Sequence, residues 1–146
     1  MKLSFAFMAL VLFSCNDQSL KTDINDVKTL PEVRNCYQYA GNRDIIVLNL
    51  ISKGDSVKGS LSYSLYQKDN SIGTIQGKMK GDLLIADYTF QSEGITSVRQ
   101  VAFKQRGASF IEGYGEVSNE GNRTVFKDIN SLNFGHSGVL MKVFCK

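Results

Sequence analysis

Tryptophan is missing from this sequence, proline occurs once, at Pro31, and histidine once, at His136. Each scarcity closes a class of chemistry. With one histidine, set in the turn-like stretch GHSG (Gly135 to Gly138), a Ser–His relay has little to stand on. The three cysteines show no CxxC spacing, which leaves a zinc cluster without its usual ligands. No GxGxxG unit before a helix and no Walker loop occurs, so a nucleotide site has no phosphate cradle. GYG, Gly113 to Gly115, falls in a strand-like segment, where glycines mark a bulge or close packing. The formal net charge is only +3, with both signs interleaved and no basic run, which is not a nucleic-acid balance. No apolar run reaches the ~20 residues that a membrane-crossing helix needs. No cofactor, metal or nucleic-acid partner is therefore expected.

The N-terminus carries one strong pattern. Lys2 precedes LSFAFMALVLF, Leu3 to Phe13, in which Ser4 alone is polar. That is the length of a signal-peptide core. Ser14 is the small residue a peptidase accepts beside its cut. An ordinary secretory signal would place a second small residue two positions earlier, where Leu12 stands. Leu12-Phe13-Ser14-Cys15 instead resembles the bacterial lipobox. The resemblance covers Met1 to about Asp17, and the other reading of Cys15 is a buried thiol in a short apolar helix.

In lipobox proteins the cysteine sulfur takes a diacylglycerol as a thioether, the peptidase cuts before it, and the new amino group accepts a further acyl chain such as palmitate. Two or three chains anchor stably, because each buried methylene contributes about 0.8 kcal/mol and one chain alone is marginal. The resemblance thus implies a signal peptide over 1–14 and lipid attachment at Cys15. It implies a lipoprotein of the bacterial cell envelope, held in the outer membrane by lipid alone.

Residues 15–34 read as a tether. NDQSLKTDINDVKTLPEV is polar, lacks a sustained period and cannot bury enough apolar surface to order itself. Its acidic spacing at Asp23, Asn25 and Asp26 has no glycine turn or distal glutamate to complete a calcium loop. With Cys15 given to lipid, Cys36 and Cys145 remain, near the two ends of the structured region, 35–146. Outside the cytoplasm they are free to form a disulfide. The alternative is two buried free thiols.

From Arg34 onward, turn pairs recur at Gly41-Asn42, Gly54-Asp55, Asp69-Asn70, Gly81-Asp82, Glu93-Gly94, Arg106-Gly107 and Glu120-Gly121. They supply residues tolerant of positive φ, as hairpins require. The segments between are rich in β-branched and aromatic residues, which predicts an all-β antiparallel meander. One strand shows its faces cleanly. Val57, Gly59, Leu61, Tyr63 and Leu65 share one side; Lys58, Ser60, Ser62, Ser64, Tyr66 and Lys68 share the other. Ala86, Tyr88 and Phe90 turn inward by default, as do Val101 and Phe103. The Phe110 strand is mixed on both faces.

An open meander leaves two edges exposed to other chains, and a barrel removes them. About nine segments lie between the turns. In an up-and-down barrel with an even strand number, the first strand begins and the last ends at one rim, where Cys36 and Cys145 would meet. Eight strands are therefore expected, with one irregular segment in Arg123 to Gly138. By architecture this is similar to lipocalin-like barrels and to the small barrels of bacterial envelope-stress lipoproteins, without the lipocalin Gly-x-Trp.

Two groups of residues stand out as a site. Tyr63 and Tyr88 fall on inward faces, and Tyr37, Tyr39 and Tyr114 join them if their strands take the same parity. Buried tyrosines need a partner for each hydroxyl. They either fill a core or line a partly polar pocket of the kind an eight-stranded barrel can hold. Arg99 shares parity with Val101 and Phe103, and Glu112 with Phe110 and Tyr114. The intervening turn makes them hairpin neighbours, roughly opposite or diagonal. Such a pair either orients a polar ligand or locks one end of the barrel, with Glu93 as a possible second partner. Tyr63, Tyr88, Arg99, Glu112 and Tyr114 are the candidate ligand-binding residues.

Three function classes remain, an enzyme last, because nothing in the sequence supplies a catalyst. The first is a lipid-anchored barrel that binds a small amphipathic ligand or an envelope component. The second is a non-enzymatic protein-interaction module that uses the outer face or rim. A hollow interior favours the first, and a filled interior with an apolar outer patch favours the second.

Overall fold

The computed structural model describes residues 30–146. The signal-peptide segment, Cys15 and most of the expected tether lie outside the described residues. Ten strands follow one another: β1 (Val33–Gly41), β2 (Asp44–Lys53), β3 (Ser56–Ser64), β4 (Ser71–Lys80), β5 (Leu83–Ser92), β6 (Ile95–Arg106), β7 (Ser109–Gly113), β8 (Val117–Glu120), β9 (Arg123–Phe126) and β10 (Val139–Val143). The first begins at Val33, so the last two residues of the expected tether already pair in the sheet, Val33 with Ser52.

Eight of these strands close an antiparallel barrel. β1 to β6 pair in sequence, β7 follows β6, and β10 fits between β7 and β1. Every expected turn pair falls at a strand junction. At Gly54 the backbone takes φ +58, which a side chain with a Cβ rarely adopts, and β2 reverses there into β3. The β1–β2 turn uses Asn42 and Arg43 at φ +53 and +68 instead of Gly41, which stays in the strand.

The irregular segment begins earlier than the sequence suggests. The chain leaves the barrel at Tyr114, and the stretch after the Arg106-Gly107 turn divides into β7 inside the barrel and β8 outside it. β8 and β9 form a hairpin, and β9 runs parallel to β6 at Val98 and Arg99. The excursion then folds back over the outer wall. A Cβ at Gly113 would overlap the Phe134 ring, so only glycine lets that ring lie against β7. Ala102, opposite Gly113, and Ile111 are buried although both point outward. That second apolar layer is why the Phe110 strand reads as mixed.

Inside the barrel a continuous core runs from Val57 and Leu50 through Leu61, Leu84, Phe103 and Phe110 to Tyr63 and Tyr88. Leu48, Leu61, Leu84, Tyr88, Phe103 and Leu140 are 0 % exposed, leaving no water-sized void against them. The interior is filled. β3 behaves as its alternation predicts: Val57, Leu61 and Tyr63 are buried, Leu65 packs partly buried against the core, and Lys58 and Ser64 are exposed. Ser60 and Ser62 face outward but are half-covered by neighbouring strands.

The two barrel ends differ. At one end the chain enters β1 and leaves β10, and Cys36 and Cys145 form a disulfide with their Cα atoms 5.2 Å apart. At the other end lie the β1–β2, β3–β4 and β5–β6 turns and the 114–138 excursion.

Candidate functional site

All five residues singled out from the sequence meet at the end opposite the disulfide. Tyr63 is the second-last residue of β3, Tyr88 lies in the second half of β5, Arg99 in the first half of β6, and Glu112 near the end of β7. The Tyr63 hydroxyl donates to Glu112 Oε1 at 2.6 Å, and the Tyr114 hydroxyl to Oε2 at 2.9 Å. Each carboxylate oxygen thus has a fixed donor, which is how a charge-bearing group only 3 % exposed is tolerated inside a barrel.

Arg99 completes the cluster without touching the carboxylate. Its guanidinium lies 5.0 Å from the Tyr63 ring centre, 5.4 Å from Tyr88 and 5.7 Å from Phe90. The register causes this, because Tyr88 and Arg99 are direct cross-strand partners. The rings support each other: Tyr63 meets Tyr88 edge-on at 5.8 Å, and Tyr88 stacks on Phe90 at 4.8 Å. Tyr88 also donates to Ser71 Oγ at 3.1 Å.

The expected hairpin pairing of Arg99 with Glu112 is not what forms. The tight β6–β7 turn sets Arg106 opposite Ser109, which puts Phe103 opposite Glu112. Continuing that register would put residue 116 opposite Arg99, but β7 has already ended at Gly113. Among the ion pairs of the described residues, none includes Arg99. Glu93, at φ +50 in the β5–β6 turn, is exposed and makes no ion pair with it. Tyr63 lies between the two, donating to Glu112 and facing the Arg99 guanidinium with its ring.

Electrostatics follow from burial. Desolvation raises the Glu112 carboxyl above its ordinary range, and the two tyrosine hydrogen bonds and the Arg99 charge oppose that rise. Tyr63 is pushed well above a free phenol by burial first and then by the adjacent carboxylate. Tyr114 moves the same way for the same reasons. Both phenols therefore remain donors across the neutral range.

The 114–138 excursion pins this end. Tyr114 and Asn133 exchange backbone hydrogen bonds at 2.9 and 2.8 Å, and Ser137 donates to the Glu112 carbonyl at 2.6 Å. Sequence reasoning missed the parts played by Phe90, Ser71 and Ser137. Phe90 was visible as an inward residue by alternation. Ser71 and Ser137 carry no signal, since their role depends on where two loops come to rest. Of the other tyrosines, Tyr37 is buried in the core against Phe110 at 4.9 Å and Tyr39 packs on its margin. His136 is exposed in its loop.

Outside the barrel, a hollow of about 740 Å³ lies on the wall near the disulfide. Its apolar surfaces include Val47, Ile51, Val143 and Phe144, and its cations are Arg34, Lys58 and Lys146. No group of three His, Cys, Asp or Glu side chains among the described residues is placed to hold a metal ion. Comparison with protein-family models, curated proteins and solved structures finds no match to this chain.

Proposed function

We propose that this chain is a lipid-anchored lipoprotein of the bacterial cell envelope, placed in the outer membrane. Its barrel is a non-enzymatic binding module that takes a small amphipathic ligand or an envelope component at its polar mouth. The observation that carries this reading is the convergence of Tyr63, Tyr88, Arg99, Glu112 and Tyr114 above an interior that is already full. A ligand held lipocalin-fashion would need an empty lumen, so the site moves to the mouth. The lipobox-like Leu12-Phe13-Ser14-Cys15 supports the anchor. A chain anchored at Cys15 enters the barrel at the disulfide end, which leaves the mouth at the far end.

A second reading draws on the outer hollow. Its lining has apolar, neutral polar and basic members and no acid, and with Lys58 already paired to Glu32 it is Arg34 and Lys146 that suit an acidic segment of a partner protein. A photoreactive phenylalanine analogue placed at Tyr114 or at Phe144, which are 50 % and 98 % exposed, separates the two readings. In lipidated protein within the envelope, the mouth reading expects crosslinks from position 114 and none from 144. Crosslinks from 144 alone, to a protein, would replace it with the second reading. Mass spectrometry of the mature N-terminus tests the anchor: a diacylated Cys15 is expected, and an unmodified cysteine would overturn it.

A further inference from the structure

We infer that the polar mouth recognises an anionic head group, a carboxylate or a phosphate, carried on an apolar body, and that Arg99 grips that head with its guanidinium edge. This rests on the mouth being the binding site and names the chemistry it selects. Arginine remains charged at any physiological pH and offers five N–H donors in a rigid fork. Here that fork has no protein acceptor. Arg99 Nε is buried without a hydrogen-bond partner, and no hydrogen bond among the described residues uses the guanidinium as donor. A buried donor left unmade costs free energy and is rare in native structures.

The neighbourhood explains why the chain leaves it so. Glu112, the acid nearest in the cluster, has both oxygens engaged by Tyr63 and Tyr114. Three aromatic rings hold the cation in place electrostatically but accept no conventional hydrogen bond. The cation is thus positioned and partly desolvated, while its hydrogen-bonding edge is unspent. A carboxylate or phosphate would meet the guanidinium at its outer Nη atoms with two parallel hydrogen bonds. Arg43, over the Tyr66 ring at 4.5 Å, adds positive charge at the same end.

The apolar body follows from the rim. Tyr66, Ile95 and Tyr114 sit at strand ends or loops at this end and are 49–68 % exposed. Large apolar groups around a cation at one end suit an amphiphile held by its head.

The test uses the mature protein titrated, below micelle formation, with dodecanoate and dodecyl phosphate, against dodecyl maltoside, acetate and inorganic phosphate. Tyrosine fluorescence reports directly, since the chain has no tryptophan. The anionic amphiphiles are expected to bind about tenfold or more tighter than the neutral one and than the bare anions. Arg99→Gln should weaken them about 10- to 100-fold, and Arg99→Lys should fall between. In the wild type, the Arg99 Nε–H nuclear magnetic resonance signal should move on adding dodecanoate, which needs no variant to fold. Equal affinity for neutral and anionic amphiphiles at the mouth would overturn the inference while sparing the mouth as a site. Absence of any mouth signal would remove both. Bare phosphate binding as tightly as dodecyl phosphate would remove the apolar body.

Discussion

At the disulfide end of the barrel, first and last strands are joined covalently, and the outer wall nearby mixes apolar, neutral polar and basic side chains. At the opposite end no covalent link exists; a buried carboxylate, two phenols, a guanidinium and a returning loop hold the strands together. The first arrangement restrains the unfolded chain and asks little of side-chain geometry. The second stabilises only when every donor meets its acceptor, and it is exposed to ruin by a single atom. Stability alone would not require the second, since well-packed apolar groups often serve as well as buried charges. On the function proposed above, the mouth serves recognition and the disulfide end durability.

The wall shared by both ends sets the scale. Leu61→Ala should cost about 2–5 kcal/mol by chemical denaturation, through lost contacts and a cavity in a region with no slack. Breaking the covalent end comes next. Cys145→Ser opens a loop spanning 109 residues, for which about 2–4 kcal/mol is expected. Free thiols in the folded, exported wild-type protein would contradict the bridge. Breaking the polar end follows: Tyr63→Phe strips the Glu112 carboxylate of its shortest hydrogen bond and should cost about 1–3 kcal/mol. A loss under about 0.5 kcal/mol would mean that water replaces the phenol and the mouth is less enclosed than described.

The polar end also carries a pH response. Glu112 has a raised carboxyl pKa in the folded state, from an ordinary value near 4.5, chiefly through burial. Between those two values the unfolded chain has released the proton and the folded chain still holds it, so stability falls as pH rises through that window. Glu112→Gln should flatten that fall, measured as melting temperature against pH, and an unchanged slope would assign it to another group. The smallest effect belongs to the outer face, where Ser62→Ala should change stability by less than about 0.5 kcal/mol.

How much of this was legible in the sequence differs from strand to strand. β3 declared its faces because its inward residues Val57, Leu61 and Tyr63 are apolar or aromatic and buried, while Lys58, Ser62 and Ser64 on the other face are polar and more exposed. β7 did not, because Ile111 and Gly113 are covered on the outside by a segment more than twenty residues later, anchored by Phe134. Parity brought Tyr63, Tyr88, Arg99 and Glu112 to the interior. It did not say that Arg99 and Glu112 sit four positions out of register, because that offset is set by the tightness of the Arg106–Ser109 turn, which parity does not carry. The outer hollow was invisible for a similar reason, since strand curvature and the path of the C-terminal residues make it.

The most direct test of the account is a two-dimensional amide spectrum of the mature protein during titration with dodecanoate. If recognition lies at the polar mouth over a filled interior, shifts should concentrate at Tyr63, Tyr88, Arg99, Glu112 and Tyr114 and leave Leu48, Leu84 and Val57 in place. Shifts running through Leu48, Leu84 and Val57 would mean that the lumen opens to admit the ligand. Shifts confined to Val47, Ile51 and Phe144 would place recognition on the outer wall, and either result would contradict the account.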